Sequence, residues 1–370
     1  MKRVLLGIVL LLPLVQSCKQ EDPPGLDIFL QVYTLGGAAR FSEGINTGEQ
    51  TLIPVAVQDA NTYKYALLRF GENGKALAQY DAAEHPGNCR FGACVLGQNG
   101  TMISAGSDQD RPAFWVHDSA SMNMQTKLPR NTQGYYFDAI QHGNFFYLCG
   151  QVQDPDSMNE ILITKLDLNG NFVEDRTLGT SQNDGGIALA SSGDKLMLLA
   201  YSYGKNLGDR DFWMMEIDEN LDTLQSAVFG GAGYDQPACM LYEEGHFWLG
   251  GHSTSFNNNT NNMHDAYLLK VTPQLQVVWE KAYDFGDHEG IDRMLFLKNG
   301  NIGTVSYGDM MVQSGFYLEV TRSGAAVYQK RYPEIAGFTH LSEDKDRRVM
   351  WGITRGPIVD MARVSDAFPD

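Results

Sequence analysis

Two neighbouring stretches hold the residue types best suited to chemistry. "YDFGDHEGID" (283–292) carries Asp284, Asp287, His288, Glu289 and Asp292, and "HSTSFNNNTNNMHD" (252–265) adds His252, His264 and Asp265. Carboxylates at this density offer hard oxygen donors, and calcium takes six to eight of these. Paired carboxylates can also serve as acid and base on a glycosidic bond. The same composition suits any solvated loop face, and the acids lack the regular spacing of a calcium loop. These eight residues are therefore expected to form a ligand- or metal-binding face. Calcium is the cation they would suit, and no catalytic residue is assigned.

A second stretch, "VFGGAGYDQPACML" (228–241), raises the question of a phosphate cradle. Gly231 and Gly233 give Gly-x-Gly, but the third position is Gln236, and Pro237 opens a strand-like run. A dinucleotide site needs a helix N-terminus there, so the glycines are read as a tight turn between strands. The stretch has a faded copy near the start, "YTLGGAARFSEGI" (33–45).

That repetition points to the elements that position the loops. Seven short apolar segments recur about every 50 residues: "TLIPVAV", "TMISAGS", "FFYLCGQ", "KLMLLAYS", "HFWLGGHS", "NIGTVSYG" and "RVMWGIT". Each is followed, after a polar loop, by a second strand-like run such as "DFWMMEID" or "DAYLLKVT". Turn signals ("ENG", "LNG", "RSG") then lead to a further strand such as "VVWEKAYDFG". No long 3.6-period segment appears. The repeat predicts an all-β chain, a seven-bladed β-propeller of four-stranded antiparallel blades. The last unit runs out of chain before its fourth strand. Ile28 to Leu35, which matches the ends of outermost strands, is expected to supply it and to cover the open edge. The acidic stretches at 80–88, 178–186, 229–237 and 283–292 then connect blades, on the same face as the loops at 106–112, 151–159, 203–211 and 252–265.

Residues 229–286 resemble the propeller repeat of secreted Bacteroidota proteins. They carry its Gly-Gly, its hydrophobic-x-Gly-Gly, its Asp-x-Tyr-Leu-x-Lys and its Trp-x-Lys-x-Tyr in order. The resemblance extends in part over about 330 residues and implies fold and class of organism, with little about activity.

The N-terminus fits an export signal. Lys2 and Arg3 precede the apolar run Val4–Val15, too short for the roughly 20 residues that span a bilayer. "LVQSC" resembles the bacterial lipoprotein signal, which implies cleavage after residue 17 and lipidation of Cys18. "KQEDPPG" behind it reads as a tether, and its first four residues resemble the signal for display on the outer face of the outer membrane. The expected organisation is a signal peptide over 1–17, a lipidated Cys and tether over 18–27, and one propeller domain over 28–370.

The chain carries a formal charge of −17, and without Lys2 and Arg3 its 26 basic and 45 acidic residues give −19. Such a charge repels nucleic acid. Cys89, Cys94, Cys149 and Cys239 make no metal pattern. On one straight strand, Cys89 and Cys94 would stand about 16 Å apart, beyond bridging distance; buried thiols are the plainer reading. Trp115, Tyr136, Trp213, Trp248, Trp279 and Trp351 recur inside strands and are expected to pack the blades. "DSA", "DSM" and "DTL" resemble the Bacteroidota O-glycosylation triplet, which would place sugars on Ser119, Ser157 and Thr223. The expected role is a non-catalytic scaffold or binding subunit at the cell surface, for an envelope protein complex or a glycan. The alternative is a carbohydrate-active enzyme, a glycoside hydrolase or polysaccharide lyase, that uses the acidic loops.

Overall fold

The computed structural model describes residues 4–10, 28–35, 38–47, 49–59, 62–71, 73–86, 88–117, 124–153, 158–205, 207–256, 263–286, 288–306, 314–344, 347–355 and 360–367. Among them there is no helix, and the strands form seven sheets, the blades of a seven-bladed β-propeller. Cys18 and the tether, Ser119, Ser157 and Asp287 lie outside the described residues.

The chain divides into two compact units, Phe91–Met294 and Met1–Arg90 with Leu295–Asp370. The first holds the candidate site. Its blades run in simple up-and-down order, each strand pairing with the next. One blade comprises Asp184–Ser191, Leu196–Ser202, Asp211–Ile217 and Thr223–Phe229. The next comprises Asp235–Glu243, His246–Ser253, Asp265–Val271 and Val277–Tyr283. Apolar side chains of both meet in one core, where Phe212 stands edge-on to Tyr267 at 5.5 Å beside Met214, Phe247 and Leu249. The middle strands of a blade are buried on both faces, so they read as continuous apolar runs; the outermost strand, such as Thr223–Phe229, is mostly exposed or half-buried. The first strand of each of these blades carries a register shift at the same place, Gly186/Ala188 and Pro237/Cys239. That bulge is where a proline can sit in a ladder without a lost hydrogen bond.

The hairpin turns follow their side chains. Asp167 Oδ1 accepts the N–H groups of Asn169 and Asn171, each at 2.8 Å, which holds the "LNG" turn.

In the other unit, Ile28–Thr34 runs antiparallel to Met361–Ala367, with Ile28 opposite Asp366 and Tyr33 opposite Met361. The N-terminal strand thus completes the last blade, as the sequence pattern predicts. Within the expected leader, Val4–Leu10 lies parallel to Ile28–Thr34 on the outer side. Tyr33 is fully buried among Phe70 and Trp351, its hydroxyl donating to the Gly74 carbonyl.

Trp115, Tyr136, Trp213, Trp248 and Trp351 are buried in the blades, while Trp279 is only half-buried. All four described cysteines are free thiols; Cys89 and Cys94 share the strand Cys89–Leu96, which keeps them apart. Thr223 is exposed at the start of its strand.

Candidate functional site

Three successive connections within residues 91–294 repeat one local design. The residue after the outermost strand is Gly179, Gly230 or Asp284, and five positions on stands an acid, Asp184, Asp235 or Glu289. The acid reaches back to the connecting loop: Asp184 takes the Thr180 N–H, Asp235 the Gly231 N–H at 2.7 Å, and Glu289 the Phe285 N–H at 3.4 Å. A second acid opens the third strand, Asp211 in one blade and Asp265 in the next. Between them the residues preceding these acids join two blades through the backbone. Asp235 N–H donates to the Arg210 carbonyl at 2.8 Å, and Glu289 N–H to the His264 carbonyl at 2.7 Å. Arg210 and His264 are therefore equivalent positions, as are Tyr234 and His288.

This scaffold converges polar rings and one guanidinium. Arg210 lies over three tyrosine faces, 4.1 Å from the ring centre of Tyr201, 4.6 Å from Tyr203 and 5.0 Å from Tyr234. Its Nη1 donates to the Tyr234 hydroxyl at 2.8 Å, while its buried Nε has no hydrogen-bond partner. Among the described residues no carboxylate pairs with it. The rings of Tyr234, His252 and His264 are nearly parallel, with interplanar angles of 17°, 11° and 7°, and the two imidazoles lie 4.6 Å apart. His288 stands edge-on to His264 at 5.2 Å, and its Nδ1 accepts the His264 N–H at 3.1 Å. Burial above all, then the neighbouring His264, Arg210 and His288, push the His252 imidazole down to about 3, so it is neutral at physiological pH.

The acids fall into two states. Asp235 is saturated: it accepts the Ser255 hydroxyl at 2.7 Å, the Ser253 hydroxyl and the Gly231 N–H. Asp211 Oδ2 accepts the Leu207 and Gly208 N–H groups at 2.8 and 3.1 Å, while its buried Oδ1 has no hydrogen-bond partner. These two latch loops to blades. The next pair differs. Carboxylate oxygens of Asp265, Asp284 and Glu289 all lie within 4.8 Å of one another, Asp265 and Glu289 being buried and Asp284 exposed. Asp265 Oδ1 has no hydrogen-bond partner. Burial, then the charge of Asp284, push the Asp265 carboxyl up to about 6.

The expected face thus separates into two groups. Asp265, Asp284 and Glu289 come together as carboxylates, and His252, His264 and His288 come together as rings. Asp292 joins neither group; its carbonyl accepts Arg293 Nη1 at 2.8 Å. Arg210 and Tyr234 were not singled out from sequence, although both stand in loops flagged as site-bearing. The signal was present in the repeat register, which makes them the counterparts of His264 and His288.

No family model matches the chain, and no curated protein does. Solved structures match it in fold. A puromycin hydrolase aligns at 13% identity with a TM-score of 0.56, over 87% of this chain and 51% of that one. The Pyrococcus horikoshii acylaminoacyl peptidase aligns at 10% with a TM-score of 0.54, over 90% and 53%. This chain therefore spans about half the length of either. Polysaccharide lyase Uly1 aligns at 8% with a TM-score of 0.56, over 89% of this chain and 90% of that one. At such identities the likeness is one of fold, and the chain is similar to these proteins as a β-propeller.

Proposed function

We propose that this protein is a lipid-anchored β-propeller of the outer membrane, held through Cys18, that binds an acidic glycan at Arg210 and the rings around it. One observation carries the reading. In a chain of net charge −17, Arg210 is caged by three tyrosines with no carboxylate partner among the described residues. A guanidinium fixed on aromatic faces presents its remaining donors in a planar fork, which matches a carboxylate. The flanking Tyr234, His252 and His264 add ring faces and neutral polar atoms suited to sugar rings and hydroxyls. The anchor rests on the "LVQSC" signal. Palmitate labelling of the wild type, lost in Cys18→Ser, is the expected result for it.

A uronate polymer such as polygalacturonate should be retained by the immobilised mature protein, and neutral glucans should pass. Retention of both alike, or of neither, contradicts the proposal.

The same cluster favours a second reading, eliminative cleavage of the bound uronate. Arg210 would hold the carboxylate and so acidify the adjacent C5–H. A base among Tyr234 and the histidines would take that proton. The C4–O bond would break as the C4=C5 bond forms, and the leaving oxygen would gain a proton. No water or oxidant is consumed. That a polysaccharide lyase shares the fold is consistent with this chemistry. Ultraviolet absorbance of an unsaturated uronate product, absent in Tyr234→Phe or His252→Gln, would establish it; binding without any such product would leave the glycan-binding role alone.

A further inference from the structure

We infer that Asp265, Asp284 and Glu289 form a calcium site that ties the 283–292 connection to the third strand of its blade. The molecule supplies its own control. At the preceding connection the equivalent positions are Asp211, Gly230 and Asp235, two acids and a glycine. A side chain added at Gly230 would meet Asp235 Oδ2 at 2.5 Å and Asp211 Oδ1 at 2.6 Å, so this position points straight between the two acids. There two backbone N–H groups serve Asp211 Oδ2, and hydroxyl and backbone N–H donors serve Asp235, which leaves Asp211 Oδ1 as the one oxygen of that pair without a partner. At the next connection the glycine is replaced by Asp284, which puts a third carboxylate beside the pair. Position 179 is again glycine, so the added acid departs from the repeat's own pattern.

Among the described residues the donors at the third-strand position are fewer: Asp265 receives neither of the backbone N–H groups that its counterpart Asp211 receives, while Asp284 Oδ1 accepts the Gly286 N–H at 2.8 Å. Asp265 is 2% exposed, and its Oδ1 accepts no hydrogen bond. Glu289, also buried, receives the loop N–H at 3.4 Å where Asp235 receives it at 2.7 Å. Three convergent carboxylates with an unsatisfied buried oxygen call for positive charge, and no basic side chain forms an ion pair with Asp265 among the described residues. The donor set is all oxygen, which selects a hard cation over zinc or copper. Calcium fits better than magnesium, since it accepts mono- and bidentate carboxylates in flexible geometry and sheds its water more readily. The inference stands apart from the glycan reading, because it uses none of the residues that contact the proposed uronate.

The test is calcium titration of the chelator-treated mature protein, by calorimetry and by thermal midpoint. One calcium per chain should bind, and saturating calcium should raise the midpoint by several degrees, through binding to the folded state alone. Asp284→Gly restores the repeat's own residue and so should fold; it should weaken calcium at least about tenfold, and Asp265→Asn should do the same. Absence of a calcium heat and midpoint shift, an unchanged response in both variants, or an equal response to magnesium would overturn the assignment.

Discussion

Acidification should destabilise residues 91–294 through one side chain, His117. This residue ends the strand Arg111–His117 and is 1% exposed. Its Nε2 lies 2.9 Å from the Ser104 hydroxyl, and its Nδ1 has no hydrogen-bond partner. A neutral imidazole fits this environment and an imidazolium does not. Burial accordingly pushes the group down from 6.5 to about 4. The sign follows from linkage. In the unfolded chain the group takes its proton near pH 6.5, in the folded chain only near pH 4, so the unfolded state binds more protons between. The stabilisation is complete above about pH 6.5 and drains away as pH falls through that window. At about 1.4 kcal/mol per pH unit, the loss is about 2 kcal/mol by pH 5 and about 3 kcal/mol by pH 4. Other groups also titrate there, so the decisive quantity is a difference. Urea unfolding should be followed by tryptophan fluorescence from about pH 7.5 to 4 for the wild type and His117→Gln, which keeps a polar atom for Ser104 but cannot titrate. The variant is expected to start less stable and to lose about 3 kcal/mol less over the range. Parallel curves for the two proteins would refute the argument.

Three further outcomes follow from the packing. Arg348 is fully buried, 3.6 Å from Asp366 and 4.0 Å from Glu319, and it donates to the Ala367 carbonyl at 2.6 Å; Arg348→Ala should cost about 1–3 kcal/mol of urea stability, because it leaves that carbonyl without its donor while Asp366 keeps Lys330 at 2.6 Å and Glu319 keeps Asn299 and Asn301 at 2.9 and 2.7 Å. Gly74 has φ 75°, and a Cβ there would meet Arg363 Cδ at 2.6 Å and the Tyr33 hydroxyl at 2.8 Å. Gly74→Ala should therefore cost about 1–3 kcal/mol and speed hydrogen exchange in Ile28–Thr34, whose Tyr33 caps that turn. Half-buried Cys94 should react first with a thiol reagent under native conditions, with Cys89, Cys149 and Cys239 reacting only on unfolding; burial also pushes the Cys149 thiol up, which slows it further.

The architecture was legible because strand periodicity and turn residues repeat. "DFWMMEID" and "DAYLLKVT" fall on strands Asp211–Ile217 and Asp265–Val271, and Ile28 to Leu35, matched to the ends of outermost strands, supplies the N-terminal strand that completes the last blade. The loops were legible in composition only. Acids at 284, 289 and 265 do meet, yet Asp211 and Asp235 look identical in sequence and serve as backbone latches. What separates Asp211 from its counterpart Asp265 is the pair of backbone N–H groups that Asp211 Oδ2 receives, and three-dimensional placement decides this. Arg210 and Tyr234 escaped notice because each is an ordinary residue in its own loop. Their meaning lies in the contact between one blade's loop and the next connection, where a lone arginine finds three rings.

The central claim is that Arg210 reads a carboxylate. Its most direct test is calorimetric titration with an oligogalacturonate and with the same oligomer after its carboxyl groups are reduced to alcohols, for wild type and Arg210→Ala. A charge-assisted hydrogen bond worth about 1.5–3 kcal/mol predicts roughly 10- to 100-fold preference for the acidic oligomer in the wild type. The variant should bind both oligomers alike. Equal binding of the two by the wild type, or a preference that survives Arg210→Ala, would contradict the account.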